Sequence, residues 1–171
     1  VHLEVRSLSS DKIVEELAAF RIDAGLTYLD NEPVGAVTTT AVYTERYVFL
    51  TTERRPGKSV RWSDLDGSSL CLLTPDMQNR RIIDGVFRSV GATPKPSFET
   101  NSIFNLVSHA ASGHWSAIVP RQLLQFFSIP ESTRALELVE PTSRRASGLI
   151  IADRDPPAPL ARNLMAMPLP E

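Results

Sequence analysis

The first thirty residues show two kinds of hydrophobic spacing. Apolar and polar residues alternate over Val1–Val5, as on a half-buried strand, and apolar residues then recur three and four positions apart from Ile13 to Phe20, as on one face of a helix. The apolar segment Ile22–Leu29 predicts another strand. A strand, a short helix and a strand in this order predict a right-handed βαβ unit with parallel strands. We therefore expect an α/β fold from the start of the chain.

A charged turn separates the next strands from the rest of the chain. The segment Ala36–Val42 and the apolar run Tyr47–Leu50 each predict a strand. Arg54–Lys58 places a proline and a glycine among charged residues, and the alternation of elements starts afresh after it, so we expect the chain to cross between two lobes here. The turn before the first of these strands contains Asn31, Pro33 and Gly35.

Two helices stand out in the second half of the pattern. Met77–Val90 has an apolar face and is followed by Gly91, a residue suited to the left-handed end of a helix. The helix that starts near Ile103 is capped by Asn101 or Ser102 and ended by Gly113. The other predicted elements are a helical turn from Ser63 to Leu65, strands at Leu70–Leu73, around Phe98, and at Trp115–Val119, Leu136–Val139 and Ser147–Ala152, helices at Pro120–Phe127 and Leu160–Met167, and a rigid proline link at Asp155–Pro159.

Composition and charge narrow the classes of function. A chain of 171 residues with 42% hydrophobic side chains is able to bury a core. Its 18 Lys and Arg residues against 20 Asp and Glu residues give a net charge of -2, so no general attraction to a nucleic-acid backbone is expected. No apolar run approaches the roughly 20 residues of a membrane span, and Val1–Val5 lacks a signal-peptide pattern, so we expect a cytoplasmic protein.

The cysteine and histidine content gives no sign of a metal or redox centre. Cys71 is the single cysteine and lies in the apolar run Leu70–Leu73, which predicts a buried thiol that packs as a small hydrophobic group. The three histidines, His2, His109 and His114, are too isolated in sequence from groups of acidic or thiol partners to suggest a zinc site. We therefore expect neither a metal site nor a cofactor.

Three segments resemble the effector-binding domain of LysR-type transcriptional regulators. The first is VHLEVRSLSSDKIVEELAAFRIDAGLTYL, which is similar to that domain's strand, helix and "l-D-l-a-i" strand. The second is WSDLDGSSLCLL, which is similar to the family's short turn and strand. The third is SFETNSIFNLVSHAASGHWSAIVP, which is similar to the segment "e-t-x-s-x-x-x-l-V-x-x-G-x-G-i-x-x-l-P", with Val107, Gly113, Ile118 and Pro120 in place but His114 and Trp115 where the family usually has glycine.

This resemblance implies a fold and a mode of action. The fold implied is α/β, with two Rossmann-like lobes of the type II periplasmic-binding-protein kind, in which residues 1–51 plus 153–171 form regulatory lobe I and residues 52–152 form regulatory lobe II. Lobe I is expected to start without the family's first strand and helix. The family binds a small effector in the cleft between the lobes, which implies an anionic metabolite as partner here. It also implies a homodimer, and the full-length protein could form a tetramer. DNA contact is expected only through a winged helix-turn-helix outside this sequence, and no membrane partner is expected.

Polar residues at helix starts and strand ends are the candidates for effector contact. Helix N-termini offer unpaired N–H groups and the positive end of the helix dipole, which suit a carboxylate or another anion. By resemblance, such residues contact effector in the family, although each could equally be an ordinary cap or strand-end residue. The predicted set is Ser10, Tyr28, Thr74, Pro75, Gln78, Thr100, Asn101, Ser102 and Ile103.

The sequence also allows other interpretations. Arg80 and Arg81 could neutralise a bound anion, but arginines on an amphipathic helix are more often solvated. A solute-binding protein of a transporter would have the same fold. A small hydrolase would need a serine, a histidine and an acid, for which Ser108 or Ser112, His109 or His114, and Asp153 are available, but no G-x-S-x-G turn exposes a serine. We therefore do not expect an enzyme.

Overall fold

The computed structural model describes residues 2–30, 36–154, 156 and 158–167. The chain divides into two compact units: unit 1 is Val1–Thr44 with Arg145–Glu171, and unit 2 is Glu45–Arg144. None of the helices in the described ranges is long and apolar enough to cross a membrane. The helices are α1 (Ser10–Ala18), α2 (Gln78–Ser89), α3 (Ile103–Ala111) and α4 (Pro159–Met165); the strands are β1 (Gly25–Tyr28), β2 (Val37–Thr51), β3 (Ser59–Arg61), β4 (Leu70–Leu73), β5 (Phe98–Thr100), β6 (Ser116–Pro120), β7 (Arg134–Val139) and β8 (Arg144–Ala152); and 3-10 helices cover Trp62–Leu65 and Arg121–Phe126.

Unit 1 is built around antiparallel strand pairs. β1 pairs with β8 in the register Gly25↔Ile150 to Tyr28↔Ser147, and β8 is also a neighbour of β2. Residues 2–9 form no strand, so the predicted strand at Val1–Val5 and the predicted parallel βαβ unit are both wrong. The reason is that the partner of β1 comes from the far end of the chain, which local alternation of apolar and polar residues does not reveal.

Unit 2 contains a mixed sheet with the strand order β5-β4-β6-β2-β7-β3. β4 is parallel to both β5 and β6, whereas β6 and β7 run antiparallel to β2, and β3 is parallel to β7. Every residue of β4 and β6 is buried. This agrees with their continuous apolar runs, because parallel strands are covered by other elements on both faces.

The core of unit 2 has two layers, one on each face of the sheet. Alternate residues of a strand enter alternate layers, so that Phe49 packs in one cluster while Val48 and Leu50 pack in the other. The first cluster contains Trp62 and Phe87, whose rings meet edge to face with centroids 5.1 Å apart. The second is covered by α3, which contributes Leu106, Val107 and Ala110.

Cys71 belongs to the second of these clusters. The side chain is fully buried and forms no disulfide, which confirms the predicted buried thiol. Burial raises the pKa of the thiol to about 11, because the charged thiolate loses its hydration. Cys71 therefore stays protonated at neutral pH and lacks the character of a nucleophile.

The segment predicted as two strands is one strand in the structure. β2 runs without interruption from Val37 to Thr51, although polar residues in its middle suggested a break. Thr, Val and Tyr have high β propensity, and the strand keeps its extended form through the polar stretch because of them. The predicted helix Pro120–Phe127 is also different, since Arg121–Phe126 forms a 3-10 helix instead of an α-helix.

The long helices and their ends were predicted correctly. α2 and α3 lie within the predicted limits, and Gly91 and Gly113 follow them with φ of 73° and 83°, in the left-handed region that suits glycine. Asn31, Pro33, Gly35, Asp155 and Pro157 lie outside the described residues, so the predicted turn and most of the proline link are not described.

The chain passes between the units at residues 44/45 and 144/145, inside β2 and at the first residue of β8. The charged turn Arg54–Lys58, where a crossing was predicted, belongs to unit 2. A charged turn with proline and glycine marks the end of a strand, but a crossing strand needs no turn at all. The identification of the units as regulatory lobes stays a prediction.

Gly148 in β8 offers a test of the close packing in unit 1. A Cβ atom at this position would lie 2.3 Å from the backbone oxygen of Thr40. Gly148→Ala should therefore lower the free energy of unfolding by about 2 kcal/mol, the cost typical of overpacking. Gly85→Ala in α2 is the matched control, because its nearest atom is 3.9 Å away, and it should raise stability by about 0.5 kcal/mol. Urea unfolding measures both; wild-type stability for Gly148→Ala would contradict the packing described here.

Candidate functional site

The carboxyl ends of β4 and β5 form an edge of the unit 2 sheet where two helices begin. The strands are parallel and aligned with Leu73 opposite Thr100, so the residues that follow them emerge side by side. The amide of Thr74 donates a hydrogen bond to the carbonyl oxygen of Thr100 at 3.0 Å. The chain then enters α2 at Gln78 and α3 at Ile103. We call the residues 74–78 and 100–103 the strand-end cluster.

The start of α3 is capped within this cluster. Ser102 is the N-cap, and its hydroxyl accepts a hydrogen bond from the amide of Asn105 at 3.4 Å. The hydroxyl of Thr100 accepts from the amide of Ser102 at 3.2 Å and from the side chain of Asn105 at 3.3 Å. Of the two predicted caps, Ser102 fills the role, whereas Asn101 is exposed. Thr100 and Ser102 thus have structural roles, and these do not exclude contact with a ligand.

The start of α2 is different because no side chain caps it. Met77 is the N-cap residue, and its amide donates to the carbonyl oxygen of Thr74 at 3.0 Å. The hydroxyl oxygen of Thr74 is buried and has no hydrogen-bond partner among the described residues. A buried hydroxyl without a partner costs on the order of 1–3 kcal/mol. Gln78, the first helical residue, is buried, whereas Pro75 is exposed.

Arg80 holds the elements of this edge together. Its guanidinium donates to the carbonyl oxygen of Leu73 at 2.7 Å, to Glu99 at 2.5 Å and to Asp84 at 2.9 Å. The side chain is buried, so the expectation that Arg80 is solvated is wrong. Burial acts to lower its pKa, but hydrogen bonds and charge from Glu99 and Asp84 outweigh this and raise the pKa above its usual value.

Sequence reasoning missed this role of Arg80 because its partner Glu99 is not local. Asp84 lies four residues later on the same helix, and an arginine and an aspartate at this spacing were a visible signal for an ion pair. The contacts with β4 and β5 depend on the tertiary fold. Arg81, by contrast, donates to the backbone oxygen of Asp76 at an exposed position.

The predicted site residues Ser10 and Tyr28 lie in unit 1. Ser10 is the first residue of α1, is buried, and accepts a hydrogen bond from the hydroxyl of Thr27 at 2.9 Å. Ser9 is the N-cap of this helix and makes no side-chain cap. Tyr28 ends β1 and is half-buried opposite Ser147. The structure therefore brings seven of the nine predicted residues together in the strand-end cluster. Contact of Ser10 and Tyr28 with an effector stays a prediction.

The residues proposed for a hydrolase do not form a catalytic triad. The hydroxyl of Ser112 donates to the backbone oxygen of His109 at 2.7 Å and lies 3.2 Å from Nδ1 of His114. Within the described residues no carboxylate contacts His114, and Asp153 belongs to unit 1. His109 packs against the ring of Phe98 with centroids 4.4 Å apart. In the same ranges no group of three acidic, histidine or cysteine residues is placed to hold a metal ion.

The whole sequence matches one family. The profile described as "LysR substrate binding domain" covers residues 1–168. The chain belongs to this family. This confirms the resemblance seen in the three sequence segments. The LysR family is a family of transcriptional regulators.

Solved structures share the fold of this LysR substrate-binding domain at low sequence identity. The effector-binding domain of QuiR in complex with shikimate is 18% identical with a TM-score of 0.75, over 90% of this chain and 73% of that one. The reduced regulatory domain of OxyR from Pseudomonas aeruginosa is 19% identical with a TM-score of 0.75, over 92% and 77%. Full-length CbnR in complex with its target DNA is 18% identical with a TM-score of 0.74, over 92% and 56%.

These similarities confirm the predicted α/β fold of the type II periplasmic-binding-protein kind. At such identity they establish the fold alone. The chain spans just over half the length of full-length CbnR. No curated protein sequence matches the chain significantly.

Replacing Arg80 tests whether it holds the edge of the LysR substrate-binding domain in place. Arg80→Met removes the guanidinium and leaves two carboxylates and a carbonyl oxygen without their donor. We expect the free energy of unfolding to fall by about 2 kcal/mol, less than for a fully buried pair because Glu99 and Asp84 remain partly solvated. Arg88→Met, at an exposed position of the same helix, should cost less than about 0.5 kcal/mol. Equal effects of the two substitutions in urea unfolding would show that Arg80 contributes no more than a surface residue.

Proposed function

We propose that this chain is the effector-binding regulatory domain of a LysR-type transcriptional regulator, and that a small anionic metabolite binds at the strand-end cluster. The observation that carries the proposal is the buried hydroxyl of Thr74, which lacks a hydrogen-bond partner among the described residues where two helices begin. A ligand atom that accepts or donates a hydrogen bond there would remove the free-energy cost of burying this hydroxyl without a partner. The QuiR domain, which shares the fold, is in complex with the small molecule shikimate.

The preference for an anion follows from the two helix starts. α2 and α3 have 12 and 9 residues, and their N-termini carry partial positive charge and amide donors. No side chain caps α2, so its first amides suit a carboxylate or phosphate oxygen. Asn101 is exposed beside these amides and can add a side-chain donor. Effector contact by Ser10 and Tyr28 of unit 1 rests on the family resemblance alone.

Regulation requires the effector to favour one conformation of the domain. A ligand shifts an equilibrium between conformations only by the difference between its affinities for them. In the full-length cytoplasmic protein, we propose that this shift passes through contacts between the domains of a homodimer to winged helix-turn-helix domains that bind DNA. The DNA complex of CbnR is a complex of a full-length protein with the same fold.

A thermal-shift screen of organic and inorganic anions tests the site. Thr74→Val removes only the hydroxyl, so the unliganded protein should be as stable as wild type or slightly more stable, while the stabilisation by ligand should fall by about 1 kcal/mol or more. The double variant Thr100→Ala, Asn101→Ala should also lose ligand stabilisation. Thr133→Val is the matched control, because the Thr133 hydroxyl is likewise buried without a described partner but lies in the turn before β7.

The control separates a binding effect from a general effect on stability. We expect Thr133→Val to keep the full ligand-induced shift in Tm. If the best anion stabilises wild type, Thr74→Val and the double variant equally, the strand-end cluster is not the binding site.

A further inference from the structure

A cavity lies in unit 2 beside β2 and β7. Its volume is about 540 Å³, which is within the usual range for sites of small-molecule ligands. It is formed by the second half of β2, the end of β7, the segment after β7, the first residue of β8 and the first residue after β6. The residues that matter here are Arg46, Arg121, Arg144, Glu137, Ser143 and Trp62.

The cavity is separate from the strand-end cluster. In the strand order β5-β4-β6-β2-β7-β3, the cluster lies at β4 and β5, whereas the cavity lies at β2 and β7. β6 stands between them. No residue of the strand-end cluster lines the cavity. A ligand in one place therefore need not occupy the other.

The charges that line the cavity are unbalanced. Three arginines and one glutamate leave an excess of two positive charges, although the whole chain has a net charge of -2. Arg121 forms an ion pair with Glu137. The side chains of Arg46 and Arg144 are exposed and form no ion pair or hydrogen bond with any described residue. Two guanidinium groups thus face the cavity without a countercharge.

The wall of the cavity also offers a hydroxyl and is held in place. The Ser143 side-chain oxygen is buried and has no partner among the described residues. The segment that carries it is attached to the core, because the indole N–H of Trp62 donates to the backbone oxygen of Pro141 at 3.0 Å. Trp62 is itself fully buried between the sheet and α2. The cavity is therefore formed before a ligand arrives.

We propose that this cavity is a second binding site, for a small molecule with at least two negative charges carried by carboxylate or phosphate groups. Guanidinium groups pair with both through two parallel hydrogen bonds. A dianion would balance the two unpaired arginines, and the Ser143 hydroxyl would donate one further hydrogen bond. The Arg121–Glu137 ion pair is not needed for this binding and stays intact.

Calorimetric titration of the whole chain with inorganic pyrophosphate tests this proposal, with citrate as a carboxylate probe. The double variant Arg46→Gln, Arg144→Gln should raise the Kd for pyrophosphate by about tenfold or more, since each lost contact is a charge-assisted hydrogen bond. Ser143→Ala should raise it about threefold. The double variant Arg54→Gln, Arg88→Gln has the same change in charge at exposed positions of unit 2 and should leave the Kd within about twofold.

Three outcomes would overturn the proposal. The first is that wild type binds neither pyrophosphate nor citrate, and the second is that both double variants weaken binding equally, as general attraction between charges would produce. The third is that Thr74→Val weakens pyrophosphate binding while Arg46→Gln, Arg144→Gln does not. That last result would place the anion at the strand-end cluster and would leave the proposed effector site standing.

Discussion

The buried guanidinium of Arg80 fixes the end of the unit 2 sheet at which β4, β5 and α2 meet. It joins three elements at once, because it sits on α2, donates to the last carbonyl of β4 at Leu73, and pairs with Glu99 of β5. A buried guanidinium destabilises the fold unless its N–H groups have hydrogen-bond acceptors. Here two carboxylates and a backbone carbonyl oxygen are those acceptors. The consequence is that the ends of β4 and β5 and the start of α2 have fixed relative positions, so the proposed effector site would be formed in advance.

Unit 2 carries both proposed sites at one edge of its sheet. β4, β5 and β6 end there, and the part of β2 that belongs to unit 2 begins there, since Tyr47 stands opposite Pro120. β7 ends at the same edge because it runs antiparallel to β2. The polar groups of the edge are of two kinds: hydroxyls and helix amides follow β4 and β5, whereas arginines lie on β2, directly after β6 and at the first residue of β8. Neutral donors discriminate between ligands by hydrogen-bond geometry, whereas two guanidinium groups without a countercharge discriminate by ligand charge. The two proposed sites therefore favour different ligands.

The sequence predicted what local spacing determines and failed where distant segments meet. α2, α3 and the glycines that end them followed from helical periodicity and backbone conformation, and the cluster at Thr74 and Thr100–Ser102 followed from cap residues and the family resemblance. The antiparallel pairing of β1 with β8 and the contact of Arg80 with Glu99 were out of reach, because their partners are remote in sequence. The cavity was missed for the same reason, because Arg46 and Arg144 are remote in sequence and line one cavity only in the folded chain.

Backbone-amide NMR is the most direct test of the strand-end cluster as the effector site. The ¹⁵N-labelled domain would be titrated with the anion that raises the Tm of the wild type most. We predict that the largest chemical-shift changes fall on the amides of residues 74, 76–81 and 100–105, at the starts of α2 and α3, and that they saturate with a single Kd. Saturable changes that leave both helix starts unperturbed would contradict the account, because a ligand held by these amides cannot leave their resonances unchanged.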